Sequence, residues 1–265
     1  MSWILITNDD GIDSPALVPL VQAIGRHHEV RVVVPDRERS WIGKAITRHD
    51  PVTVASIDRS DLGMFTTSGF PADCVQLGVH SLFGEPPAWV VSGINIGYNH
   101  GSSYVQSSGT VGAAMEALLA GIPAIALSAG SHSRPWPKWR AWVHTEEAND
   151  MWKRLAAIAA DLVDRLVTIE PLDSVVNVNL PDDAALDTPR VVTTVAQVGY
   201  EQLFRRETDG SYVHDYGGGL RWFAGLEGTD VEAAAAGRVA VTPVVPAGTG
   251  TFPEPVRRLL TDTSS

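Results

Sequence analysis

The order of apolar and polar positions along the chain predicts an α/β fold. Short, continuous apolar runs alternate with segments in which apolar residues recur at helical spacing. Such runs are typical of strands buried on both faces of a sheet. They fall at 3–6, 30–34, 88–91, 124–127 and 175–180, with weaker candidates at 52–55 and 64–67. The alternation predicts βαβ units and therefore a mostly parallel sheet.

Helices are predicted between these runs, after Pro71 and at 111–120, 151–167 and 231–236. Another helix follows the first strand, with Ser14 as a candidate N-cap, Pro15 at its first position and Gly25 at its end. Pro19 lies inside this pattern, and proline lacks the N–H that a helix interior requires. We therefore expect this helix to start late or to kink.

The chain changes character after Pro181. Segments 189–198 and 200–216, followed by the glycine run 217–219, predict hairpins, and a last strand is predicted at 239–245. We expect two parts, a core over residues 1–185 and a hairpin region over 186–265 that returns to it.

Four of the eight tryptophans lie in segment 131–152, and they are Trp136, Trp139, Trp142 and Trp152. One interpretation is an excursion that packs against the sheet or a neighbouring subunit. The other is a base-stacking surface, because tryptophan offers a large apolar face with a polar edge.

The composition is that of an acidic globular protein, with 44% hydrophobic and 19% charged residues. The net charge of −11 opposes binding to nucleic-acid polymers, whose affinity comes from cationic side chains, and to anionic membranes. The sequence shows neither a membrane-spanning run nor a signal-peptide pattern after Met1. Cys74 is the single cysteine and is interpreted as a buried small hydrophobe. A cytoplasmic protein is therefore expected.

Polar residues follow several predicted strands at the point where each strand ends. The carboxyl ends of parallel strands share one edge of a sheet, where ligands bind. Asp9 and Asp10 follow the first strand, and Ser40 and Asn95 follow two others. Adjacent carboxylates held in a crevice need a compensating cation, and an all-oxygen ligand set suits Mg²⁺, Mn²⁺ or Ca²⁺ better than zinc. Asp-Asp-Gly is also ordinary turn chemistry, so the motif alone does not decide.

Ser108, Gly109 and Thr110 precede the predicted helix at 111–120. One interpretation is an N-cap, and the other is a phosphate cradle in which small residues let the backbone N–H groups approach an anion. The sequence contains no P-loop, and no dinucleotide fingerprint follows the first strand.

A cation beside a phosphate cradle predicts phosphomonoester hydrolysis, because the metal polarises the P–O bond and lowers the pKa of a bound water. Two alternatives stay open. One is a sugar-nucleotide enzyme on the same architecture, and the other is a non-catalytic nucleotide sensor or scaffold.

Five ordered motifs together resemble the SurE family of stationary-phase survival proteins. They are TNDDG, VVPDRERS, TSG-PADCV, VSGIN-G-N-G and SGTVGAA. The resemblance implies a Rossmann-like three-layer α/β core over 1–185 and a C-terminal β-hairpin arm within 186–265 that assembles homodimers or homotetramers. It also implies a metal-dependent nucleotidase that acts on nucleoside 5′-monophosphates or 3′-monophosphates.

The resemblance also assigns roles to individual residues. It implies one divalent cation per subunit, Mg²⁺ or Mn²⁺, with Ca²⁺ able to replace them in a crystal. The implied metal ligands are Asp9, Asp10, Ser40 and Asn95, of which Asp9, Asp10 and Asn95 are also the predicted catalytic residues. The implied phosphate and substrate contacts are Asn8, Asn99, Ser108, Gly109 and Thr110.

This chain departs from the family pattern in three places. Phe70 replaces a small polar residue, which predicts an altered floor of the site or altered packing. Trp41 replaces a smaller residue after Ser40, which predicts a narrower or more aromatic entrance. The tryptophan-rich segment 131–152 is the third departure.

His100, in the glycine-rich loop, is a weaker candidate for the general acid.

Overall fold

Thirteen strands and seven α-helices are found in the described part of the chain. The computed structural model describes residues 2–57, 63–169, 172–216, 219–247, 253–254 and 256. The strands are β1 (Trp3–Thr7), β2 (Glu29–Pro35), β3 (Val54–Ile57), β4 (Met64–Thr67), β5 (Trp89–Ile96), β6 (Ala124–Gly130), β7 (Val175–Pro181), β8 (Arg190–Val192), β9 (Val198–Tyr200), β10 (Phe204–Arg206), β11 (Tyr212–His214), β12 (Leu220–Trp222) and β13 (Val239–Val244). The helices are α1 (Leu17–Ile24), α2 (Pro71–His80), α3 (Gly101–Ser107), α4 (Gly109–Leu119), α5 (Trp136–Trp142), α6 (Asn149–Leu166) and α7 (Asp230–Ala235).

Nine of these strands form one sheet in the order β3-β4-β2-β1-β5-β6-β7-β13-β8. Only the β3–β4 and β7–β13 pairs of this sheet are antiparallel. The prediction of a mostly parallel sheet is therefore confirmed.

Helices cover both faces of the sheet and give the fold three layers. Helices α1 and α6 pack on one face, where Leu20, Ile24 and Ile158 are buried. Helices α2 and α4 cover the other, where Val75 and Ala113 are buried. The α/β, Rossmann-like fold is therefore confirmed. None of the helices in the described ranges has the length and apolar content needed to cross a bilayer.

The order of the strands reverses at β1. The chain passes from β1 to β2 on one side and later reaches β5 on the other, so the connections after β1 and β5 leave in opposite directions. A crevice opens at such a switch point, outside the carboxyl ends of the strands.

Helix α1 starts late, as Pro19 indicated. It begins at Leu17, its N-cap is Ala16, and no side chain caps it, so Ser14 is not the cap. The late start places Pro19 at the third helical position, where a backbone N–H has no partner within the helix.

Strand β5 continues beyond the predicted end at residue 91. Its pairing with β6 shifts register between Ser92 and Asn95. Gly93 lies at this irregularity with φ of +134°, and a Cβ there would clash with the carbonyl oxygen of Leu127. Asn95 is therefore a strand residue beyond a bulge, and glycine permits the bulge.

The hairpin prediction is correct for one pair of consecutive strands. Strands β10 and β11 form an antiparallel hairpin. Strands β8 and β9 do not form a hairpin with each other. Strand β8 joins the edge of the main sheet parallel to β13, and β9 pairs with β12. Two positions of the predicted glycine run, 217 and 218, lie outside the described residues.

Candidate metal and phosphate site

A cavity of about 1120 Å³ opens at the carboxyl ends of β1 and β5. Six residues predicted from the sequence line it, and they are Asp9, Asp10, Ser40, Asn95, Asn99 and Ser108. The other three, Asn8, Gly109 and Thr110, do not line it. The structure therefore brings the strand-end residues to one crevice.

Asp9 is buried at the bottom of this site. Its Oδ1 accepts a hydrogen bond from the hydroxyl of Thr110, and its backbone oxygen accepts one of 2.7 Å from the amide of Arg39. A Cβ on Gly109 would lie 2.8 Å from Asp9 Cβ, so the start of α4 packs directly on this side chain. Burial raises the pKa of Asp9 to about 6, although the bond from Thr110 opposes the rise.

Asp10 is fixed to the neighbouring strand. Its Oδ2 accepts a hydrogen bond of 3.0 Å from the amide of Ile96, at the end of β5. Burial, and then the adjacent charge of Asp9, hold the pKa of Asp10 well above its usual range. Two carboxyl groups are therefore kept together at a cost in desolvation and repulsion.

The amide of Asn95 is oriented by its own loop. Its Nδ2 donates a 2.7 Å hydrogen bond to the carbonyl oxygen of Gly97, so Oδ1 is the side-chain atom that could bind a cation. The Ser40 hydroxyl donates a 2.7 Å bond to Oε1 of Glu38. A bound ion would thus find only oxygen atoms on the side chains proposed to hold it, those of Asp9, Asp10, Ser40 and Asn95.

These residues fit a divalent cation. A hard cation prefers carboxylate, amide and hydroxyl oxygens. Its charge would offset the burial that raises the pKa values of Asp9 and Asp10, and also the smaller repulsion of Asp9 on Asp10 and of Glu38 on both. The fit therefore rests on donor chemistry and on the unfavourable electrostatics of two adjacent acids.

Ser108 has the structure that the N-cap interpretation predicted. Its Oγ accepts a 3.0 Å hydrogen bond from the amide of Val111 and caps α4. Because Ser108 also lines the cavity, the capped end of α4 faces it. Thr110 and Gly109 lie behind this surface, against Asp9.

Asn8 shapes the turn that carries the two acids. Its side chain accepts a hydrogen bond from the amide of Gly11 and donates one to the carbonyl oxygen of the same residue, both of 3.0 Å. Gly11 has φ of +83°, which an L side chain rarely adopts. Asn8 therefore acts through the backbone of the turn.

Asn99 lines the cavity and is held by two strands. Its amide donates to Asn179 Oδ1 and its Nδ2 donates to Ser128 Oγ, both at 2.8 Å. Asn177 Nδ2 donates a 2.8 Å bond to its carbonyl oxygen. Strands β6 and β7 thus fix the loop after β5.

Sequence reasoning did not single out Glu38 and Arg140. Oε2 of Glu38 lies 3.1 Å from Nη2 of Arg140, and both residues line the cavity. Glu38 lies in the VVPDRERS motif, two residues before Ser40, and this position was a signal that could have identified it as a site residue. Arg140 comes from α5, 102 residues away, and no local pattern could connect it to the site.

Trp41 stands at an aromatic entrance to the cavity. Its ring centroid lies 5.0–6.0 Å from four other rings, those of Tyr104, Tyr200, His214 and Tyr216. Of these, Tyr104, His214 and Tyr216 line the cavity with it. The predicted aromatic entrance is therefore observed.

Phe70 does not line the cavity. The guanidinium of Arg39 lies 5.6 Å from its ring centroid, and Arg39 donates a 2.6 Å bond to the carbonyl oxygen of Ser68. Phe70 therefore contributes to the packing beside Arg39 and is not part of the cavity lining.

His100 lines the cavity, but its Nδ1 is buried without a hydrogen-bond partner among the described residues. The imidazole stacks on Tyr98 at 5.0 Å between centroids. Burial lowers the pKa of His100, so the ring is neutral at pH 7. A neutral imidazole holds no surplus proton, which argues against His100 as the general acid.

A second group of candidate ligands lies outside the predicted set. His132, Asp182 and Asp183 bring one ligand atom each within 4.8 Å of one another. Asp182 already accepts a 3.0 Å bond from Trp139 Nε1. This group is tied to the packing of the tryptophan-rich segment.

The fold and the site define an α/β protein of Rossmann-like type with an acidic, oxygen-rich crevice at its switch point. A family model described as Survival protein SurE matches residues 4–202. The chain belongs to the SurE family.

Relatives and a solved structure extend this similarity over nearly the whole chain. The chain is 39% identical to a 5′-nucleotidase SurE of Geobacter sulfurreducens over 245 residues, which cover 91% of this chain and 87% of the relative. A 5′-nucleotidase SurE of Geobacter metallireducens is also 39% identical, with 91% and 90% covered. The crystal structure of a SurE protein from Aquifex aeolicus matches with a TM-score of 0.75 and 30% identity, covering 98% of this chain and 99% of that one.

Proposed function

We propose that this protein is a divalent-metal-dependent phosphomonoesterase that hydrolyses nucleoside 5′-monophosphates, and 3′-monophosphates as a second class. The observation that carries the proposal is the pair of adjacent carboxyl groups, buried Asp9 and half-buried Asp10, in a crevice beside the capped end of α4. The names of the relatives support the 5′-nucleotidase activity. The prediction of an enzyme is confirmed at the level of the family.

The metal would be held by Asp9, Asp10, Ser40 and Asn95. When bound, Mg²⁺ or Mn²⁺ supplies Lewis acidity toward the phosphate and lowers the pKa of water. One carboxylate of the pair orients the attacking water, because it lies at the bottom of the crevice with its position fixed. Asn95 would offer its Oδ1 to the cation, because its Nδ2 donates to the carbonyl oxygen of Gly97.

The phosphate would lie against Ser108 and Asn99, which line the cavity. The end of α4 favours an anion through its partial positive charge. Thr110 and Gly109 contribute by holding Asp9, and Asn8 by fixing the turn. The bound cation and the end of α4 would thus give an anion a local positive field in a protein whose net charge is −11.

Residues 186–265 are proposed as the assembly region and 1–185 as the catalytic core. The β10–β11 hairpin presents Phe204 and Tyr212 to solvent, 51% and 63% exposed. Exposed aromatic residues on a hairpin are suited to contact with a second copy. We propose a homodimer or homotetramer in the cytoplasm, and buried, unpaired Cys74 is compatible with that compartment.

Phosphate release from a panel of monophosphates tests this function, with EDTA and then with Mn²⁺ or Mg²⁺ restored. We expect EDTA-sensitive release, and a loss of several orders of magnitude in kcat for D9N and D10N without unfolding. D150N is the matched control, since the Asp150 side chain is 90% exposed on α6. Tight nucleotide binding without release would instead support a sensor, and binding of diphosphate sugars without release would support a sugar-nucleotide enzyme.

A further inference from the structure

Trp136 lines the cavity and is partly exposed, at 48%. Its ring atoms Cη2 and Cζ3 lie 3.2 and 3.3 Å from the position that a Cβ on Gly97 would take, and Asn95 Nδ2 lies 3.7 Å from the same position. An indole is thus placed immediately beside one of the proposed metal ligands.

Helix α5, which carries Trp136, is anchored by a buried tryptophan. Trp139, one turn later on α5, is 1% exposed and donates a 3.0 Å bond from Nε1 to Oδ2 of Asp182. The two indole centroids are 5.7 Å apart with planes inclined by 33°. Trp136 therefore rests on a fixed neighbour, which lowers the entropy that a ligand would have to remove.

The other large ring at the cavity, Trp41, is differently placed. Four aromatic rings already surround it, whereas Trp136 has one ring neighbour, Trp139, among the described residues. The two indoles expose similar fractions of their surface, 44% for Trp41 and 48% for Trp136, so Trp136 is distinguished by its fewer ring contacts and by its position beside the loop at Gly97.

We propose that Trp136 is the stacking platform for the base of the nucleoside monophosphate and that it sets a preference for purines. The proposal rests on the proposed function, because it takes the phosphate to lie by Ser108 and Asn99 in the same cavity. A nucleotide bound there would extend its ribose past Gly97 toward the indole. Purines present a larger flat surface than pyrimidines, and stacking on an aromatic side chain strengthens with that surface.

The test compares W136A and W136F with the wild type on AMP, on CMP and on ribose 5-phosphate, which has no base. We expect W136A to raise KM for AMP by about 5- to 100-fold, to raise KM for CMP less, and to leave kcat/KM for ribose 5-phosphate within about twofold. W136F should recover most of the loss. W222A is the matched control, because Trp222 is 50% exposed outside the cavity, and its KM for AMP should not change.

Two results would overturn the inference. Equal losses on AMP and ribose 5-phosphate would mean that Trp136 only supports the fold of the site, and an unchanged KM for AMP would mean that the base binds elsewhere. Failure of the proposed function is distinguishable, since the wild type would then release phosphate from none of the three compounds.

Discussion

The hydroxyl of Thr110 donates a hydrogen bond to Oδ1 of Asp9, joining the first turn of α4 to the turn after β1. The two residues are 101 positions apart in the sequence. One side-chain contact therefore couples the proposed metal site to the proposed phosphate site, and it is the first target for mutation.

T110V should reduce kcat/KM by about 10- to 100-fold, because valine keeps the shape but removes a donor to a buried carboxyl group. T110S keeps the hydroxyl and should stay close to wild type. The measurement is the initial rate over a range of Mn²⁺ concentrations, where T110V should also need more metal. Equal rates for both variants would show that the bond does not support the site.

G109A should disturb the same contact sterically. The added Cβ would lie 2.8 Å from Asp9 Cβ and 2.9 Å from its Oδ2, so the acid or the helix must shift. We expect at least a tenfold loss of activity and a destabilisation of about 1–3 kcal/mol from overpacking. G225A is the control, since nothing lies within 4 Å of its added Cβ. Denaturant unfolding and initial rates should be measured for both variants. If G109A were as stable and as active as G225A, the prediction would be wrong.

The two adjacent acids predict how the stability of the metal-free protein depends on pH. Burial raises the pKa of Asp9 to about 6, above its value in the unfolded chain. A raised pKa contributes stability that is fully present below the unfolded pKa and is lost as pH rises through about 6. The melting temperature of the EDTA-treated protein should therefore fall as pH rises from about 4 to about 6, and the raised pKa of Asp10 should extend the fall to higher pH.

D9N and D10N should weaken this fall in melting temperature, because they remove an ionisable group. Added Mn²⁺ should raise the melting temperature more at pH 7.5 than at pH 5, since metal binding must displace protons. Parallel pH profiles for wild type and both variants would contradict the assignment of the effect to this pair.

The contribution of Asp161 to stability should depend on pH in the opposite direction. Hydrogen bonds from Arg165 and then Arg190 lower its pKa, and the bond from Arg190 Nη1 is 2.5 Å long and joins α6 to β8. The stabilisation is present above the unfolded pKa and is lost as pH falls through the folded pKa. D161N should lower the free energy of unfolding by less than about 1 kcal/mol at pH 7, because the ion pair is partly exposed. At pH 2 it should not change the free energy of unfolding. Urea titrations at both pH values test it, with D150N as the surface control.

Much of the site could be predicted from the sequence because strand ends are local features. Asp9, Asp10 and Asn95 each lie close to the end of a strand with a clear apolar pattern, and parallel strands present those ends at one edge. The start of α4 at Ser108 was equally readable, because capping chemistry depends on neighbours in the chain. Helix α3 was missed because its serines and glycine carry no helical period.

The sequence by itself determined the α/β class, the order of the principal strands and helices, and the residues that meet at the switch point, because these follow from periodicity and local chemistry. Only the tertiary structure decided that Thr110 faces Asp9 and that Trp136 is open to the cavity while Trp139 is buried. It also decided that β8 joins the main sheet. The physical reason is that such contacts join residues distant along the chain, and the packing of the whole fold selects them.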